Sequence, residues 1–107
     1  MPNYLLAYHV GRAPATPEEG AAQMAKWNAW VGGLGKAMVD PGTPLGKSVM
    51  VSADGVLPDG GPSPLMGFSV VAADGLEAAL SIARSCPYLA FGTIEVAEMK
   101  KMPGSGN

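Results

Sequence analysis

The order in which strand-length and helix-length segments succeed one another constrains this chain more than any single motif. Tyr4 to Val10 (YLLAYHV) is a run of β-formers of strand length, closed by Gly11 and a GRAPA loop. In the TPEE stretch that follows, Thr16 stands at an N-cap, Pro17 at the first helical position and Glu19 three residues past the cap. Side chains can then satisfy the amides that a helix start leaves free. Met24, Trp27, Val31 and Leu34 recur at helical spacing, with Trp30 beside them, until GGLG at residues 32–35 ends the helix.

The middle of the chain is less regular. KAMVD and GKSVMVS are short apolar pieces separated by PGTPLG, so a second strand is expected there, bent or split. ADGVLPDGGPSP, residues 53–64, is too rich in turn formers for a helix. LMGFSVVAA at 65–73 reads as strand three, and Asp74 is placed to cap a helix whose stripe is Leu76, Ala79, Leu80 and Ala83 and which Pro87 stops. GTIEVAEMKKM alternates as strand four. The result is βαββαβ, the pattern of a ferredoxin-like α+β fold. Its antiparallel sheet has the order four-one-three-two, and right-handed crossovers put both helices on one face. Residues 1–102 are expected to form one domain and 103–107 a flexible tail.

Charge and cysteine content narrow the function classes. A net charge of −2 with seven scattered basic residues gives no footprint for nucleic-acid phosphates. No apolar run approaches the roughly 18–20 residues of a membrane span, and the amino-terminal stretch lacks a basic leader, so a cytoplasmic protein with no membrane partner is expected. One cysteine and one histidine fall short of a zinc set, and no cofactor is called for. Cys86, near a helix C-terminus where the dipole disfavours a thiolate, reads as structural.

Strand alternation gives His9 an address. Leu6, Tyr8 and Val10 are expected to face the helices, matched with the bulkier sets Met66, Phe68 and Val70 of strand three and Ile94 and Val96 of strand four. Leu5, Ala7 and His9 then share the bare face with Gly67, Ser69, Thr93 and Glu95. Antiparallel pairing puts His9 opposite Thr93, with Glu95 diagonal to it and Gly67 leaving a gap. His9 and Glu95 are the candidate catalytic pair, the carboxylate orienting the imidazole as a base; Gly67 and Thr93 are candidate ligand contacts. Trp30, off the centre of its helix stripe, is a further candidate ligand contact. Asp59 in DGGP is another, through an amide cradle for an anion, although such strings more often only turn the chain. A bare mixed face on so short a chain is most economically covered by a second copy, so a homodimer is expected.

The opening YLLAYHV, the helix GAAQMAKWNAWVGGLGKAMVD, the segment DGVLPDGGPSPLMGFSVVAADGLEAALSIARSCP and the ending GTIEVAEMK together resemble the YCII-related family, including its DGPF-containing branch. The resemblance implies a dimeric α+β barrel of ferredoxin-like subunits, most members having no assigned function. It also implies, for some members, a histidine on the first helix and an aspartate just before a Pro-Tyr pair. One kind eliminates chloride from a chlorinated aromatic ring. Here those positions correspond to Met24 and Cys86, and the branch motif is DGGP, Asp59 to Pro62. Two readings follow. One is a cofactor-free lyase, isomerase or oxygenase acting on a small aromatic or enolisable substrate, with His9 as base. The other is a non-catalytic dimer binding a ligand or protein, since some relatives are linked to transcription regulation.

Overall fold

The computed structural model describes residues 1–101, so the expected tail 103–107 lies outside the described residues. The chain runs through β1 (Asn3–His9), α1 (Pro17–Leu34), β2 (Met38–Asp40), β3 (Met50–Ser52), β4 (Gly55–Leu57), β5 (Leu65–Ala72), α2 (Leu76–Arg84) and β6 (Thr93–Met99). β2, β5, β1 and β6 lie side by side in that order, and β5 and β6 both pair antiparallel with β1. This is the ferredoxin-like α+β arrangement that the segment order predicts. The second strand is split: KAMVD supplies β2 to the main sheet, whereas MVS folds back on GVL, from the segment expected only to turn, as the separate β3–β4 hairpin.

Local chemistry at the helix ends follows the sequence in one case and departs from it in the other. Thr16 is extended and its hydroxyl accepts from the Glu19 amide at 3.1 Å, while Glu19 Oε1 accepts from the Ala15 amide at 2.7 Å. That reciprocal pair closes the amino end of α1, and Arg12 reinforces it by donating to Glu19 Oε1 at 3.0 Å. α2 instead starts from Gly75, with no side chain bonded to its first amides, so Asp74 does not cap it. Its buried residues are Ala79 and Ala83, whose small side chains let the helix lie close on the sheet.

The register decides which residues face the helices. Tyr4, Leu6 and Tyr8 pair with Val71, Ser69 and Gly67 of β5, and Leu6 and Tyr8 pair with Val96 and Ile94 of β6. The core joins Tyr4, Leu6, Tyr8 and Val71 to Met38, Ala79, Ala83 and Cys86, with Trp27, Trp30, Val31 and Leu34 of α1 packed on it. The expected helix face of β1 is therefore present up to Tyr8, but Val10 lies beyond the strand and is exposed. For strand three the expectation is inverted. Gly67, Ser69 and Val71 lie under the helices, and Met66, Phe68 and Val70 turn to the bare face. The reason is volume: two tryptophans and a tyrosine already fill the helix side, and the strand beneath them supplies small residues to keep the layer at interior density.

Candidate functional site

A β-bulge between Tyr8 and His9 brings His9 opposite Leu65 rather than Met66 on one side, while Thr93 pairs with it on the other. Glu95, paired with Ala7, lies diagonal to His9, and the two side chains meet: Nε2 is 2.9 Å from Glu95 Oε1. Nδ1 is 2.8 Å from the Ser63 carbonyl oxygen. Both partners are acceptors, so both ring nitrogens are satisfied together only when each carries a proton. The Ser63 carbonyl, and then Glu95, accordingly hold the His9 pKa above the ordinary imidazole value. A base needs a free lone pair, and in this geometry neither nitrogen presents one. The pair is open to solvent on the Glu95 side, whose side chain is 70% exposed against 17% for His9.

His9, Thr93 and Glu95 thus stand together on the bare face, as expected. Gly67 does not join them. It lies on the helix face under Tyr8, where it forms part of a cleft of about 360 Å³ between the first turns of α1, the 41–44 loop and the start of β5. Tyr8, Gln23, Met24, Trp27, Thr43 and Tyr88 are among the residues that line it. A Cβ at Gly67 would come within 3.3 Å of the Thr43 carbonyl and 3.5 Å of the Tyr8 ring, so glycine leaves the space open. Gly42, at φ 74°, approaches β5 so closely that a Cβ there would overlap the Phe68 carbonyl oxygen.

The aromatic walls are fixed from behind. Tyr8 meets Trp27 edge-on at 5.6 Å between centroids and Tyr88 at 5.3 Å. The Tyr8 hydroxyl donates to Ser69 Oγ at 2.8 Å, and Ser69 in turn donates to the Pro41 carbonyl at 2.8 Å, tying the 41–44 loop to β1 through a fully buried serine. Tyr88 donates to the His9 carbonyl at 2.8 Å. Burial raises the pKa of both phenols, so each remains a neutral donor. Among the described residues no Asp, Glu, His, Lys or Arg lines the cleft.

The other sequence candidates fall elsewhere. Trp30 is half-buried against the core and its Nε1 donates to Ser85 Oγ at 2.9 Å, pinning α1 to the end of α2. Asp59 accepts from the Gly61 amide at 3.1 Å, an Asx turn, beside a second hollow shared with Lys47 and Ser48. Cys86 is buried in the core and desolvation raises its pKa to about 11, which matches the structural role expected of it. Met24, 59% exposed, stands at the cleft rather than in the core. Tyr8, Tyr88 and Thr43 were not singled out from sequence. The signal for Tyr8 was its own register, because the antiparallel pairing that gave His9 its address also sets Tyr8 opposite Gly67. Among the described residues no three His, Cys, Asp or Glu side chains are grouped to hold a metal, and no helix is long and apolar enough to cross a membrane.

No family model and no curated protein matches the sequence. Among solved structures the chain is similar to 5-chloro-2-hydroxyhydroquinone dehydrochlorinase from Burkholderia phenoliruptrix AC1100, in complex with 2,5-dihydroxybenzoquinone. The two are 17% identical, with a TM-score of 0.57, over 92% of this chain and 95% of that one. The likeness shows a shared fold.

Proposed function

We propose that this chain is a YCII-related protein that binds a small, neutral, planar molecule of the aromatic or quinone class in the cleft over Gly67, as a homodimer joined through its helix-free sheet face. The observation that carries the reading is the composition of that cleft. Tyr8, Trp27 and Tyr88 line a gap kept open by a glycine, and among the described residues no ionised side chain lines it. A flat apolar ring gains contact and hydrophobic burial there, whereas a carboxylate or phosphate would lose its water without a counter-charge. Gln23 and Thr43 supply the polar handles that orient a hydroxyl or carbonyl substituent. The sequence resemblance and the shared fold support the family, and the dehydrochlorinase with its bound dihydroxybenzoquinone supports the ligand class.

The geometry favours binding over catalysis, because the one acid–base pair the sequence offered lies across the sheet, with both imidazole nitrogens bonded to acceptors. The test is a titration with hydroquinone and with 4-methoxyphenol, planar phenols that are uncharged at neutral pH. It is read by fluorescence of Trp27 in a Trp30→Phe background and by thermal shift. Saturable quenching and a raised Tm in the parent, both lost in Gly67→Leu, are expected. Quenching without saturation, or equal shifts in the Gly67→Leu variant, would refute the assignment of the cleft. Turnover of either probe that disappears in His9→Ala would instead favour the cofactor-free enzyme.

A further inference from the structure

The β3–β4 hairpin is the feature that the proposed cleft does not explain. Met50 pairs with Leu57 on one of its faces and Val51 with Val56 on the other. All four side chains, and Val49 beside them, are about half exposed or more: Val51 71%, Val56 60%, Leu57 55%, Val49 50% and Met50 48%. A two-stranded ribbon is marginal in water by itself, and one that is apolar on both faces and open at both edges gains stability only when something packs on it.

The exposed area indicates how much is missing. The chain exposes 7026 Å², against about 5,600 Å² expected of a folded monomer of 10.9 kDa. Setting aside roughly 800 Å² for residues 102–107 leaves an excess of about 600 Å². One side of a standard-sized protein interface is about 600–1,000 Å².

We propose that the β3–β4 hairpin is an arm that packs against a second copy of this chain, on the partner's helix-free sheet face. Two apolar surfaces on one chain, the exposed arm and the sheet face with the part-exposed Leu5 and Phe68, are both covered by a single twofold operation, each copy giving its arm and receiving the other's. A partner of different sequence seated on the arm would leave the sheet face open. This inference rests on the homodimer reading above and adds to it the element that clasps the two copies.

Two measurements test it. In sedimentation at micromolar concentration the parent chain is expected to be a dimer, and Val51→Asp with Val56→Asp is expected to weaken dimerisation by about tenfold per valine. These side chains are exposed in the single chain, so the variant's far-UV spectrum is expected to match the parent's. A photocrosslinking residue at Val51, in otherwise unaltered protein mixed from isotopically light and heavy copies, is expected to join light to heavy peptides at residues 3–9, 65–72 or 93–99. A monomeric parent overturns both the homodimer and the arm. A parent dimer with unchanged affinity in the variant, or with only light–light and heavy–heavy products, overturns the arm and leaves the homodimer standing.

Discussion

Replacing Ser69 by alanine tests whether the chain of hydroxyls beneath the cleft holds the cleft in shape. Ser69 is fully buried, receives the Tyr8 hydroxyl at 2.8 Å and gives its own proton to the Pro41 carbonyl at 2.8 Å. Alanine fits the space but leaves a buried hydroxyl donor and a carbonyl acceptor without a partner, and each such group costs about 1–3 kcal/mol. Partial relaxation of the 41–44 loop toward water lowers the sum, so a loss of about 2–4 kcal/mol is expected. With a urea slope of about 1.5 kcal/mol/M for a domain of this size, the midpoint falls by about 2 M. Tyr8→Phe removes the unpaired donor itself and leaves Ser69 free to serve Pro41, so it costs less, about 1 kcal/mol. The double variant should therefore be more stable than the sum of the singles by about 1 kcal/mol. The assay is urea unfolding followed by far-UV circular dichroism at one fixed protein concentration, because association adds to apparent stability. Additivity of the two substitutions within about 0.3 kcal/mol, or a Ser69→Ala loss below about 0.5 kcal/mol, would falsify the view that these hydroxyls act as one linked support.

Three further outcomes follow from the structure. The raised His9 pKa means that its contribution to stability is fully present below the unfolded-state value near 6.5 and is lost as pH rises through the higher folded value. Unfolding free energy should fall across that step in the parent, lack the step in His9→Gln, and a His9 NMR titration should show the same raised midpoint. Gly42→Ala places a Cβ on the Phe68 carbonyl at a positive φ, so it should destabilise by about 3 kcal/mol or more and abolish ligand quenching, read by thermal melting. Thr16→Ala removes the acceptor for the Glu19 amide and should cost about 1 kcal/mol, with loss of helical signal at the start of α1 seen as faster amide exchange there.

The segment order was legible because it depends on local chemistry. The Thr16, Pro17 and Glu19 signature, the alternation of β6 and the breaker-rich middle each act within a few residues, and together they specify βαββαβ and hence the sheet order. The meeting of His9 with Glu95 was legible for a related reason, since once two strands pair antiparallel the diagonal neighbour is arithmetic. Ser63 was not, because a loop carbonyl 54 residues away has no side-chain signature. That one oxygen changes the chemistry, because it leaves both nitrogens of the candidate base facing acceptors.

What the sequence by itself determined was therefore the two helices and the strands of the main sheet, their order and the face of β1 on which Leu6 and Tyr8 lie. Which face of β5 the helices cover was decided by tertiary packing. Alternation alone leaves the choice of face open, and it was resolved by the volume that Trp27, Trp30 and Tyr8 need above the sheet. That choice carried Gly67 from the side of His9 to the side of Tyr8, and with it moved the candidate cleft through the sheet. The detachment of the β3–β4 hairpin was likewise settled in three dimensions. Met50–Ser52 reads as strand and Gly55–Leu57 as part of a turn-rich segment, but β2 and the bridge from Pro44 to Gly67 already occupy that edge of β5, so the two pair with each other outside the sheet with their valines uncovered.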